Sequence, residues 1–277
     1  MVKKKKVKLF FITILLLFLI IFPYQLLWGK LFPYSPIKIG FSRHELPHII
    51  VYNQNGAQKY NYKIIDSLIT GVETFHNMSF IKKPEIIFFA DRDSYLKRNL
   101  TKARFCAYPN GTLVVSPWAL KEAMEGKISM KIYLRHELSH TLLYQHMGFI
   151  TAYFFYPRWL LEGIAVYSSD QMGTSWYPDK EETCEYIRKG NFLPPDYYNT
   201  SDEDKVKLNM DNKTAFIYSE FGCIVDYLIK NYGKEKFMQY MTRLLDSYQP
   251  DKMFKDTYGI ALDSCLRNFR KYVNKYK

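Results

Sequence analysis

The stretch KIYLRHELSHTLLY, residues 131–144, constrains the fold of this chain more than any other. Ile132, Leu134, Leu138, Leu142 and Leu143 give it the apolar content of an interior helix, yet two histidines and a glutamate sit in its middle. Such groups are costly in a buried helix unless something partners them. On an α-helix, residues four apart lie one above the other, so His136 and His140 present two imidazoles about 6 Å apart on one face. Two converging ring nitrogens are half of what a tetrahedral zinc ion needs; the rest is a third protein ligand and an open position for water. Glu137, beside the first histidine, reaches that water without filling the coordination shell, which suits a general base. The chain must therefore bury this helix and bring a further ligand to it from another element.

Two residues are candidates for the third ligand. His146 stands where the long motif HExxHxxGxxH places its last histidine, but that motif turns the chain with a glycine and here the position is Leu143. If the helix continues, His146 lies about 9 Å of axial rise beyond His140 and does not close on the same ion. Glu162, in YPRWLLEGIAVYSS, is the better candidate. Pro157 can open a helix, Trp159, Leu160 and Leu161 can bury it, and Gly163 with Ala165 leave room for close approach to the site helix. The twenty-one residues between His140 and Glu162 suffice for a loop and an antiparallel return. A glutamate there completes a His₂Glu set of the catalytic kind. The earlier tetrad HELP, residues 44–47, reads as a turn, because Pro47 breaks any helix that would pair its histidine with His48.

HELSH followed by WLLEGIA resembles the glutamate-type zinc metallopeptidases, the gluzincins, and within them the thermolysin-like, peptidase MA-like group of small bacterial membrane or secreted proteins. The resemblance spans residues 45–275. It implies an α+β, zincin-like fold with an N-terminal mixed sheet and helices, followed by a mainly helical C-terminal part. It implies His136, His140 and Glu162 as ligands of one zinc ion, Glu137 as catalytic base, and a peptide or protein substrate cut by a zinc-dependent endopeptidase. It also makes KTAFIYSEFGCIVDYLIKNYG the downstream helix, with Tyr218 facing the cleft. Two readings of Tyr218 stay open: a donor to the oxyanion, or a buried helical tyrosine. One position departs from the thermolysin pattern, which has an aspartate four residues after the glutamate ligand to buttress a histidine; here that position is Val166. Asp170 is a possible substitute, and the sequence names no other. The rival function is a catalytically inactive, membrane-tethered zincin-fold protein that binds partners or the cell envelope. Glu137 argues against it, since a purely structural metal needs no base beside its ligands.

The N-terminus carries five lysines in MVKKKKVK and then an apolar run of fourteen residues from Leu9 to Phe22, prolonged to Trp28. Spanning a bilayer core takes about 20 apolar residues. The reading is a basic cytoplasmic tail at 1–8, a transmembrane signal-anchor helix at 9–28, a juxtamembrane stem at 29–47, and a metallopeptidase domain at 48–277 divided into 48–145 (sheet and site helix) and 146–277 (helices). Basic residues stay inside, so the catalytic domain is expected outside the cytoplasm on a single-pass anchor, with secretion as the alternative. The net charge of +12 falls to +7 once the five flanking lysines are set aside. No zinc-finger spacing, recognition helix or aromatic-basic interleaving points to nucleic acid. Cys106, Cys184, Cys223 and Cys265 are too far apart in sequence for a CxxC motif, and two disulfides or buried free thiols remain open.

Elsewhere, HIIVYNQ, EIIFFA, RFCAY and TLVVS read as strands, the last two joined through the turn PNG, 109–111. Periodicity predicts helices over 60–76, from Pro117 behind a Ser116 cap, over 129–145, from near Pro157, over 213–232 and its successor, and over 261–272.

Overall fold

Alternating apolar side chains build the sheet. In β3 (Glu85–Phe88) and β5 (Thr112–Val115), Ile86, Phe88, Leu113 and Val115 enter one core, while Ile87 and Val114 enter the core on the opposite face. β1 (Phe41–Glu45), β2 (Ile50–Gln54) and β4 (Phe105–Ala107) complete five strands in the order β1-β2-β3-β5-β4. β2, β3 and β5 run parallel; β1 and β4 are antiparallel edges. The β4–β5 hairpin turns through the PNG stretch, where Gly111 has φ +85° and its N–H donates to the Tyr108 carbonyl at 2.9 Å. The computed structural model describes residues 2–58, 60–195, 200–210 and 212–275, without the side chains of 2–11, 14 and 200–202.

Helices cover both faces. The helix expected over 60–76 is divided into α2 (Tyr62–Asp66), capped by Asn61, and α3 (Ile69–His76), which ends at Asn77 in the left-handed region. α4 (Arg92–Arg98) and α5 (Pro117–Met124) follow β3 and β5; Ser116 accepts from the Ala119 N–H, as its capping role requires. α6 (Met130–His146) lies against the sheet, with Leu134, Leu138 and Leu142 in the same core as Val51, Ile86 and Leu113. Placing α6 between the sheet and the second half of the chain is what buries its polar residues.

The second half is helical. α7 (Arg158–Ser168), α8 (Lys180–Tyr186), α9 (Lys213–Tyr232), α10 (Lys234–Leu244), α11 (Pro250–Tyr258) and α12 (Leu262–Lys275) enclose a core that includes Trp159, Ile164, Phe221, Val225, Phe237 and Phe269. α11 was not expected from periodicity, although Pro250 at its first position and Gly259 at its left-handed C-cap mark its ends. Gly163 is used differently from the sequence expectation. It lets α7 approach α9, not α6: a Cβ on Gly163 would lie 2.7 Å from the Phe221 carbonyl oxygen. All four cysteines are free thiols, three of them buried.

The N-terminal expectation is corrected. α1 extends over Val2–Leu27 with Pro23 inside it, and among the described residues no helix is long and apolar enough to cross a membrane. Gln25, Leu26 and Leu27 are half buried where the helix meets the domain. The lysine tail at 1–8 and Leu9 to Phe11 lie outside the described side chains. The transmembrane signal-anchor helix at 9–28, the membrane as a partner, the single-pass localisation and the membrane-anchored part of the family resemblance therefore fall. The α+β, zincin-like architecture with an N-terminal sheet and a helical C-terminal region stands. Within the stretch read as stem, Phe32–Tyr34 form a 3-10 turn and Phe41–Glu45 are β1.

Candidate active site

α6 and α7 together assemble the polar centre. His136 and His140 are 5% and 6% exposed, and Glu162, from α7, is 8% exposed. The two Nε2 atoms are 3.0 Å apart, and Glu162 Oε2 lies 3.3 Å from the first and 3.4 Å from the second. His136, His140 and Glu162 are the group that could hold a metal ion among the described residues. Ligands about 2.0–2.1 Å from a tetrahedral zinc are separated by about 3.3 Å. The nearly equilateral triangle of two imidazole nitrogens and one carboxylate oxygen therefore has the size and the donor chemistry of a single zinc site. A buried His-x-x-x-His and Glu triad of this kind is consistent with a zinc-dependent peptidase active site.

Electrostatics tie the three together. Burial alone would raise the Glu162 carboxyl, but His140 and His136 outweigh it and hold the group far below the usual carboxylate range. Burial works against a charged His136, and the hydrogen bond it donates to Glu162 together with the neighbouring carboxylates overcomes it and raises the imidazole. Two like-facing ring nitrogens and a buried carboxylate are expensive without a cation between them, whether proton or metal.

Sequence reasoning left the partner of the ligand histidines unnamed, and the turn after α7 supplies one. Ser169 caps α7, Asp170 adopts φ +56°, and the Gln171 N–H donates back to the Val166 carbonyl at 3.1 Å, a Schellman reversal. That reversal returns the Gln171 side chain to α6, where its Oε1 accepts from His136 Nδ1 at 2.7 Å. With the proton fixed on Nδ1, the Nε2 lone pair faces the triangle. Asp170 is not the buttress; it pairs with Arg135 at 3.2 Å. Gln171→Leu removes the acceptor and is expected to weaken zinc binding about 10–100-fold, read by competition with a chelator of known affinity. Unchanged affinity would show that Gln171 does not orient His136.

Glu137 is half-buried beside the triad, and its Oε2 accepts the backbone N–H of Ala107, on edge strand β4, at 2.8 Å. Burial raises its carboxyl above the ordinary range, against the opposing pull of His136 and His140. A cleft of about 600 Å³ opens over these groups, lined by β4, α6, α7, Tyr177 and Tyr218 among others. Tyr218, on α9, stacks on His136 with ring centroids 6.5 Å apart, and Arg158, one turn before Glu162, reaches 4.0 Å from Glu162 Oε1. Neither Gln171 nor Arg158 was singled out from the sequence; Arg158 could have been, as a cation four residues before a metal-ligand candidate on the same helix. His146 is elsewhere, its Nε2 bonded to the Ser79 carbonyl at 2.8 Å.

Comparison with solved structures bears on the fold. A two-domain M1 zinc metallopeptidase mutant bound to L-arginine superposes with a TM-score of 0.52 at 12% identity, covering 83% of this chain and 51% of that one. The fold is that of the M1 zinc metallopeptidases. An M1 zinc metallopeptidase from Deinococcus radiodurans gives a TM-score of 0.48 at 12% identity, covering 84% of this chain and 52% of that one. The chain thus spans about half the length of the structures it matches. No family model matches the sequence, and no curated protein does.

Proposed function

We propose that the chain is a zinc-dependent endopeptidase in which His136, His140 and Glu162 hold the ion, Glu137 is the general base and Tyr218 donates to the oxyanion. The observation that carries this reading is the triangle of Nε2, Nε2 and Oε2 with 3.0–3.4 Å edges and the Glu137 carboxylate next to it. Zinc, when bound, supplies Lewis acidity toward a peptide carbonyl and a water. Glu137 removes the proton of the attacking water and returns it to the leaving amine. The Ala107 N–H fixes one oxygen of that carboxylate, which leaves the other for proton transfer. A base with a raised pKa is better matched to proton traffic near neutrality than an ordinary glutamate. The Tyr218 phenol, kept protonated by burial, is a neutral donor for the charge that develops on the carbonyl oxygen. β4 is an edge strand lining the cleft, so an extended substrate can lie along it by backbone hydrogen bonding. A metal that served only the fold would have no use for Glu137.

The test is metal analysis with an unbiased peptide digest. One zinc per chain is expected, with cleavage that falls to background after 1,10-phenanthroline treatment and returns with one equivalent of zinc. Cleavage indifferent to chelation, or a chain that takes up no zinc, removes the reading.

A further inference from the structure

Beside the catalytic cleft lies a second cavity of about 710 Å³ to which the proposed chemistry assigns nothing. The two spaces share Tyr153, Tyr156 and Arg158. These residues immediately precede or begin α7, so the cavity starts one helical turn from Glu162. Its interior is aromatic: Trp159 and Tyr240 are almost fully buried, and Phe154 and Phe155 remain exposed. Apolar concavities with a few fixed polar groups are the usual form of a binding pocket.

The polar groups indicate what would enter. Among the described residues three cations, Arg158, Lys252 and Lys255, line the cavity against two carboxylates, Asp251 and Asp263. The Arg158 side chain is 46% exposed while its Nε stays 4.0 Å from Glu162 Oε1, so it is a cation within reach of both spaces. Tyr156, on the shared wall, is buried and its hydroxyl lacks a hydrogen-bond partner. Among the described residues the cleft's lining carboxylates are Glu137 and Glu162, both committed to the proposed chemistry, so no described acid there is placed to hold a substrate ammonium. Its other arginine, Arg104, is paired with Glu122 at 2.6 Å.

We infer that the second cavity is a substrate subsite, resting on the peptidase reading. It takes an aromatic side chain of the polypeptide whose scissile bond lies in the cleft, and Arg158 receives a carboxylate next to that side chain. An arginine fork and a carboxylate make a directional pair that a neutral isostere does not reproduce.

The test uses the zinc-loaded full chain and quenched-fluorescence peptides built on one cleavable core, with Phe walked through every flanking position and Asp compared with Asn beside it. The expected result is a position at which Phe with Asp raises kcat/KM about tenfold or more over Ala with Asn. Arg158→Met should bring the Asp-to-Asn ratio to about one, Arg158→Lys should restore part of it, and Phe155→Ala should lower the Phe-to-Ala ratio. A wild-type enzyme that cuts these peptides with no such position overturns the inference and leaves the peptidase reading intact. An Asp preference that survives Arg158→Met overturns the role of Arg158. An enzyme that cuts none of them overturns both readings together.

Discussion

Glu137→Gln is expected to keep one zinc per chain and to lower kcat for peptide cleavage about 10³-fold, within the 10²–10⁴-fold range of general acid–base catalysis. The substitution suits the question because it separates two functions of one side chain. Glutamine keeps an oxygen that can accept the Ala107 N–H now held at 2.8 Å, so the link between α6 and edge strand β4 survives. The residue is no member of the metal triangle, whose corners are His136, His140 and Glu162. What the amide cannot do is take a proton. A 10³-fold loss corresponds to about 4 kcal/mol of transition-state stabilisation. The measurement is kcat on a fixed peptide, with zinc content and melting temperature recorded on the same preparation. If kcat stays within a few-fold of wild type while zinc is retained, Glu137 is not the base and the mechanism above fails.

What could be read from the sequence follows from how local each feature is. His136 and His140 are related by one helical turn, and a helix has one geometry, so their convergence was visible in six letters. Glu162 was legible because WLLEGIA declares a buried helix and the loop before it is long enough to return. The β4–β5 hairpin was visible through PNG, since a glycine in that turn takes a backbone conformation other residues resist. Gln171 was not legible. It reaches His136 only because Asp170 adopts a left-handed conformation and reverses the chain after α7, and nothing in SSDQM states where the side chain after that reversal will point. The same holds for Ala107, whose role is a backbone N–H and is invisible in residue identity. Gly163 was read correctly as a close-approach residue and assigned to the wrong neighbour, because periodicity gives the face of a helix without saying which element meets it. The N-terminal run misled for a related reason. Hydropathy alone does not register that Pro23 enters the helix and that its last turn docks on the domain.

Gly163→Ala should destabilise the chain and weaken zinc binding, although alanine is the better helix former by about 1 kcal/mol. The sign depends on what the added methyl meets. On Gly163 a Cβ would stand 2.7 Å from the Phe221 oxygen and 2.9 Å from the Phe221 carbonyl carbon, both backbone atoms of α9, which cannot rotate away as a side chain would. The contact is reciprocal along the same pair of helices, since a Cβ on Gly222 would lie 3.0 Å from Val166 Cγ1. The helices must move apart, and overpacking of this kind typically costs about 1–3 kcal/mol, enough to cancel or exceed the gain in propensity. Because Glu162 is the adjacent residue on α7, displacement of that helix also shifts a corner of the metal triangle, so the loss should appear in zinc affinity as well as in Tm. Gly71 is the matched control: it lies in α3, and a Cβ there has no heavy atom within 4 Å. Gly71→Ala should therefore raise Tm through propensity alone and leave zinc affinity unchanged. Equal stabilisation by the two substitutions would mean that α7 and α9 have slack at Gly163, and the close approach would then not be what sets the position of Glu162.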